Sequence, residues 1–101
     1  MTMFVHTVFF WLNNPADQAN HEALHAGLKI IASIDAITTA YVGRPADTRR
    51  PVIDHSYDFG LTLVFSDKSA HDIYQEHPTH LQFIADCAHL WERVQIYDTV
   101  G

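Results

Sequence analysis

Phe4-Val5-His6-Thr7-Val8-Phe9-Phe10-Trp11-Leu12 is the stretch on which the fold turns. It is rich in valine and aromatic residues and too short for a typical helix, so it reads as a strand. Successive side chains of a strand point to opposite faces. Phe4, Val8 and Phe10 fall on one face, and Val5, Phe9 and Trp11 on the other. Both faces are apolar, and each needs a cover.

The chain downstream supplies one cover. Asn13-Asn14-Pro15 ends the strand and predicts a helix, with Asn14 as N-cap, Pro15 in the first helical position and Asp17 in the first turn. That helix is expected to reach about Ser33, burying Leu24, Leu28 and Ile31, with Gly27 allowing close approach. Ile37 to Gly43 reads as a second strand. Arg44 to Ser56, with two prolines and five charged residues, reads as a loop. Tyr57 to Phe65 alternates as a third strand. Ser66 or Asp67 then caps a short helix with the inward stripe Ala70, Ile73, Tyr74 and His77. Pro78 begins another helix to about Leu90, and Trp91 to Asp98 reads as the fourth strand.

This β-α-β-β-α-β order is the α+β, ferredoxin-like pattern: a four-stranded antiparallel sheet with helices on one face. The helices leave the second apolar face bare. A second copy of the same sheet is the simplest cover, so the chain is expected to form a homodimer through its exposed sheet face.

Composition narrows the function classes. The 101 residues fit a single domain spanning 1–101. Six basic against twelve acidic residues, a formal net charge of −6, argue against a nucleic-acid surface. Arg44, Arg49 and Arg50 form the one basic cluster, diluted by Asp47 and Asp54. A single cysteine excludes an internal disulfide and fits a reducing compartment. The longest apolar run is residues 4–12, far short of the roughly 20 residues of a membrane span. Met1-Thr2-Met3 has no basic n-region, so a cytoplasmic protein is expected.

Eight histidines stand out. His21-Glu22-Ala23-Leu24-His25 spells H-E-x-x-H, the zinc-protease signature. On a helix whose buried stripe is Leu24, Leu28 and Ile31, His21 and His25 lie roughly 50° and 90° from the buried centre and Glu22 roughly 150°. The glutamate thus points to solvent, and no motif nominates a third ligand. No metal site is expected, beyond adventitious binding by the His21/His25 pair.

Tyr74-Gln75-Glu76-His77-Pro78-Thr79-His80 is more promising. Pro78 makes His77 the N-cap of the last helix and puts His80 in its first turn, where the helix dipole disfavours imidazolium. A neutral His80 suits a general base near pH 7, and Tyr74 faces the same interior. The other reading is that His77 and His80 are capping or satisfied core residues. His6, mid-strand among apolar neighbours, needs a hydrogen-bond partner, which Tyr74 or His80 could supply. His55, His71 and His89 read as loop or helix-surface residues.

These segments together resemble one family. His6-Thr7-Val8-Phe9-Phe10-Trp11, Tyr57-Asp58-Phe59-Gly60-Leu61, Tyr74-x-x-His77-Pro78-x-His80-x-x-Phe83 and Ile96-Tyr97-Asp98 are similar, in order and spacing, to the stress-responsive dimeric A/B barrel (Dabb) domains. The resemblance implies two ferredoxin-like sheets packed face to face into a dimeric α/β barrel. In the polyketide-cyclase branch it implies cofactor-free acid/base work by a tyrosine and the second histidine of H-P-x-H. Tyr74 and His80 match those positions, and His6 matches a pocket-lining histidine. A third-strand histidine of that branch is replaced by Phe59, and the I-P-G-V-type turn appears as Ile34-Asp35-Ala36-Ile37.

The expectation is therefore a pocket for a small apolar molecule between sheet and helices, lined by His6, His77, Phe59 and Phe83, with no cofactor. His80 would be the base and Tyr74 the acid or donor, acting on an enolisable substrate. The alternative is a non-catalytic dimer in which the same residues are structural.

Overall fold

The computed structural model describes residues 2–101. Four strands, β1 (Phe4–Leu12), β2 (Thr39–Gly43), β3 (Phe59–Phe65) and β4 (Trp91–Val100), form one antiparallel sheet in the order β2-β3-β1-β4. Helix α1 (Gln18–Ile31) joins β1 to β2. Helices α2 (Lys68–Glu76) and α3 (Pro78–Cys87), then a 3₁₀ turn at Ala88–Leu90, join β3 to β4. This is the expected ferredoxin-like fold, with its second helix broken in two.

The alternation on β1 places its residues on the faces read from sequence. Phe4, His6, Val8, Phe10 and Leu12 are buried under the helices. Phe59, Leu61, Leu63 and Phe65 of β3 join them, with Leu24, Leu28 and Ile31 of α1 above. Gly27 brings α1 close to α3, since a Cβ there would lie 2.8 Å from Cys87 Sγ. Among the described residues, no helix covers the opposite sheet face. Tyr41, Thr62, Thr7 and Tyr97 form one row across it, and Tyr41 is 68% exposed. Phe9 packs against Tyr57, while the Arg93 guanidinium lies 4.0 Å above the Trp11 ring.

Several local expectations are corrected. Helix α1 starts from Asp17, not Asn14: the Asp17 carboxylate accepts from the Ala19 amide at 2.9 Å. Asn14 instead sits in a turn, its carbonyl accepting from the Asp17 amide, because Asn13 is anchored to the carbonyls of His89 and Leu90. The third strand begins at Phe59 rather than Tyr57, and the second at Thr39 rather than Ile37. The buried face of α2 is also turned. His71 is only 9% exposed and Ile73 is 60% exposed, the reverse of the sequence reading. The cause is a seat for an imidazole: His71 stacks on Phe4 at 4.2 Å and meets the edge of Phe65.

No described helix is long and apolar enough to cross a membrane.

Candidate functional site

The α2–α3 corner builds the site. Proline disfavours helical geometry in the residue before it, and His77 is accordingly extended at φ −64°, ψ 136°. Its Nδ1 accepts from the Thr79 amide at 3.0 Å, so His77 ends α2 and caps α3 with no residue between. The corner sets Tyr74, at the end of one helix, against His80, at the start of the next; their ring centroids are 4.6 Å apart.

Beneath them, between the helices and strands β1 and β4, is a cavity of about 140 Å³. His6, Tyr74, His80, Phe83, Trp91 and Ile96 are among its walls. Its β4 wall includes the helix-side residues Val94 and Ile96, which are partly exposed. A larger surface groove of about 310 Å³ runs between α1 and α3, but no histidine or tyrosine lines it.

The polar atoms in the cavity are oriented. His80 Nδ1 lies 3.1 Å from the Gln75 carbonyl, which can only accept, so Nδ1 carries the proton and Nε2 keeps its lone pair. His6 Nδ1 donates to Asp98 Oδ1 at 2.6 Å, which leaves the His6 Nε2 in the same state. Burial pushes the pKa of His80 down, opposed by the Gln75 carbonyl. It does the same to His6, opposed by the Asp98 carboxylate. Burial pushes the Tyr74 phenol up. Near neutrality the walls thus offer a neutral phenol and neutral imidazoles.

Among the residues expected to form the site, His6, Tyr74, His80 and Phe83 meet around this cavity. His77 stays at the cap. Phe59 lies elsewhere, lining a second hollow with His21, His25 and Arg44. There His25 stacks on Phe59 at 5.8 Å and His21 donates through Nε2 to the Pro15 carbonyl at 2.7 Å. Glu22 is exposed.

Two residues escaped the sequence reading. Asp98 stands directly opposite His6 in the β1–β4 register, a placement invisible until that register is known. His71, expected at a loop or helix surface, lies inside, 5.1 Å from the His6 ring. Its spacing of three from Tyr74 was the available signal, since i and i+3 share a helix face.

Residues 4–100 match the family model described as the stress responsive A/B barrel domain. No curated protein matches the chain in sequence. A Dabb family protein with a ferredoxin-like fold from Mesorhizobium loti is 28% identical with a TM-score of 0.82, the alignment covering 100% of this chain and 98% of that one. A dimeric ferredoxin-like protein of unknown function from Thermobifida fusca is 19% identical, TM-score 0.78, with 99% and 92% covered. A hydroxynitrile lyase from Passiflora edulis shares the fold at 14% identity, TM-score 0.78, with 98% and 93% covered. With a model match over nearly its whole length and this fold, the chain belongs to the stress-responsive A/B barrel (Dabb) family.

Proposed function

We propose that the protein binds a small, largely apolar carbonyl compound in the cavity and moves a proton at its enolisable carbon. The Tyr74–His80 pair carries this reading. His80 Nε2, with its lone pair free, takes the α-proton. The Tyr74 hydroxyl donates to the carbonyl oxygen as it gains enolate character. Neither role needs a cofactor, and burial keeps both groups uncharged, as the chemistry requires. Cavities of roughly 150 Å³ hold guests about the size of benzene, so the enclosed part of the ligand is of that size. The Passiflora relative, named a hydroxynitrile lyase, supports the view that this fold can carry an active site.

The working unit in this reading is a homodimer through the uncovered sheet face, as suits a face with Phe9, Trp11, Tyr41 and Tyr97 on it. Relatives of this fold are described as dimeric. The lone free Cys87 is in keeping with a reducing cytoplasm, and the net charge of −6 argues against a nucleic-acid partner.

One observation favours a second reading, a non-catalytic ligand-binding dimer: the His80–Gln75 hydrogen bond ties α3 to α2 and so has structural value. Deuterium exchange at the α-carbon of small ketones in D₂O separates the two. Wild-type protein should accelerate exchange, and His80→Gln and Tyr74→Phe should each reduce the acceleration while remaining folded. Exchange no faster than in buffer, or variants that lose only thermal stability, would leave the binding dimer standing.

A further inference from the structure

Beside the cavity lies a cluster that the acid/base reading does not use. We propose that His6, His71 and Asp98 form a binding site for a divalent transition-metal ion at the β4 edge of the sheet.

Three elements converge there. The antiparallel register sets Asp98 of β4 opposite His6 of β1, with both side chains on the helix-covered face. His71 descends from α2 onto the pair. One ligand atom from each residue lies within 4.8 Å of the other two. Two imidazoles and one carboxylate suit zinc and its first-row neighbours, and three protein ligands leave coordination positions open.

His71 supplies an independent observation. Its Nδ1 donates to Asp72 Oδ1 at 3.1 Å, which fixes the tautomer and leaves Nε2 as the lone-pair nitrogen. That Nε2 is buried and has no hydrogen-bond partner among the described residues. A buried acceptor without a donor costs free energy, which an ion would recover. A ligand histidine whose other nitrogen is held by a carboxylate is the usual outer-sphere arrangement at metal sites. Stacking on Phe4 and the edge of Phe65 holds the ring in place.

The remaining pair can adapt. His6 and Asp98 are joined by a hydrogen bond of 2.6 Å; an ion would take the place of the Nδ1 proton, with His6 protonated instead at Nε2 so that the ring stays neutral. Tetrahedral coordination would need Asp98 to withdraw by roughly 0.8 Å. Its side chain is 40% exposed on an edge strand, so it can move and admit the ion from solvent. The site is separate from the H-E-x-x-H pair. There His21 donates through Nε2 to Pro15, and its Nδ1 is also buried without a partner. Among the described residues, however, no third ligand gathers with His21 and His25, and His25 lies on Phe59.

Zinc titration of untagged, chelator-stripped protein tests the proposal, read by calorimetry and by competition with a chromophoric chelator. One zinc per chain is expected. His71→Asn and Asp98→Asn should each weaken it by roughly tenfold or more. A His21→Ala/His25→Ala variant should bind as the wild type does. Because Asp98 is half-exposed, Asp98→Asn remains informative if His71→Asn fails to fold. Imidazole NMR of the unmodified protein gives a second measure: zinc should shift the ring signals of His6 and His71 and spare those of His21 and His25. Absence of uptake, uptake that survives both ligand substitutions, or shifts confined to His21 and His25 would overturn the proposal.

Discussion

His6 and Asp98 face each other across the β1–β4 pairing with Nδ1 and Oδ1 2.6 Å apart, joining a buried strand residue to an exposed edge. The bond fixes which imidazole nitrogen carries the proton. Asp98→Asn should weaken it and cost about 1 kcal/mol of stability, the exposure of Asp98 moderating a charge-assisted bond. Urea unfolding at neutral pH measures this, and an unchanged midpoint would show the bond to be energetically idle.

The pH dependence follows from His80. Its folded pKa lies below the ordinary 6.5, with burial as the main cause. Between the folded and unfolded values the unfolded chain binds the extra proton, so the contribution of His80 to stability is complete above about pH 6.5 and declines as pH falls toward the folded value. Ketone exchange should behave likewise, flat near pH 7 and falling only on the acid side of 6.5. A rate already declining at pH 7.5 would contradict a lowered pKa.

Removing the base and removing the phenol should differ in size. General acid–base groups typically contribute about 10²–10⁴-fold, so His80→Gln should reduce exchange by roughly 10²-fold. Tyr74→Phe keeps the ring packed against His6, Phe65 and His80, and should lose rate while its melting temperature stays close to wild type.

Gly27 tests the packing that holds α3 over the cavity. A methyl group there would meet Cys87 Sγ at 2.8 Å and the Phe83 ring at 3.0 Å. Gly27→Ala should destabilise by about 1 kcal/mol net, overpacking outweighing the gain in helix propensity. Adding Cys87→Ala should restore most of the loss in thermal melts, because it removes the nearer clash.

Thr7 lies at the centre of the uncovered sheet face, pointing away from the cavity. Thr7→Glu should leave the fold intact and yield a monomer at micromolar concentration by light scattering. A dimer that persists would move the interface to another surface.

Most of the fold was legible because strand alternation and helix stripes are local signals. Residues 4–12 announced both faces of β1, and Leu24, Leu28 and Ile31 announced the buried side of α1. The start of α1 was not decidable locally, since Asn14 and Asp17 are both good caps and the choice falls to Asn13 and its distant partners His89 and Leu90. On α2, apolar Ile73 outranked His71 in any hydrophobic reading, yet the aromatic seat of Phe4 and Phe65 takes the imidazole. At the site, Tyr74, His80 and His6 were visible as inward members of compact motifs. Asp98 was not, because its meaning depends on a pairing across ninety-two residues of chain.

The single extended residue between α2 and α3 has a consequence for how such a protein can diversify. With His77 closing one helix and opening the next, Tyr74 and His80 sit on a stiff elbow whose geometry resists drift. The wall opposite them is an edge strand, where Val94 and Ile96 are partly exposed and can be exchanged without disturbing the elbow. On the proposed function, reactivity and selectivity would thereby be housed on separate, independently mutable parts of one small chain.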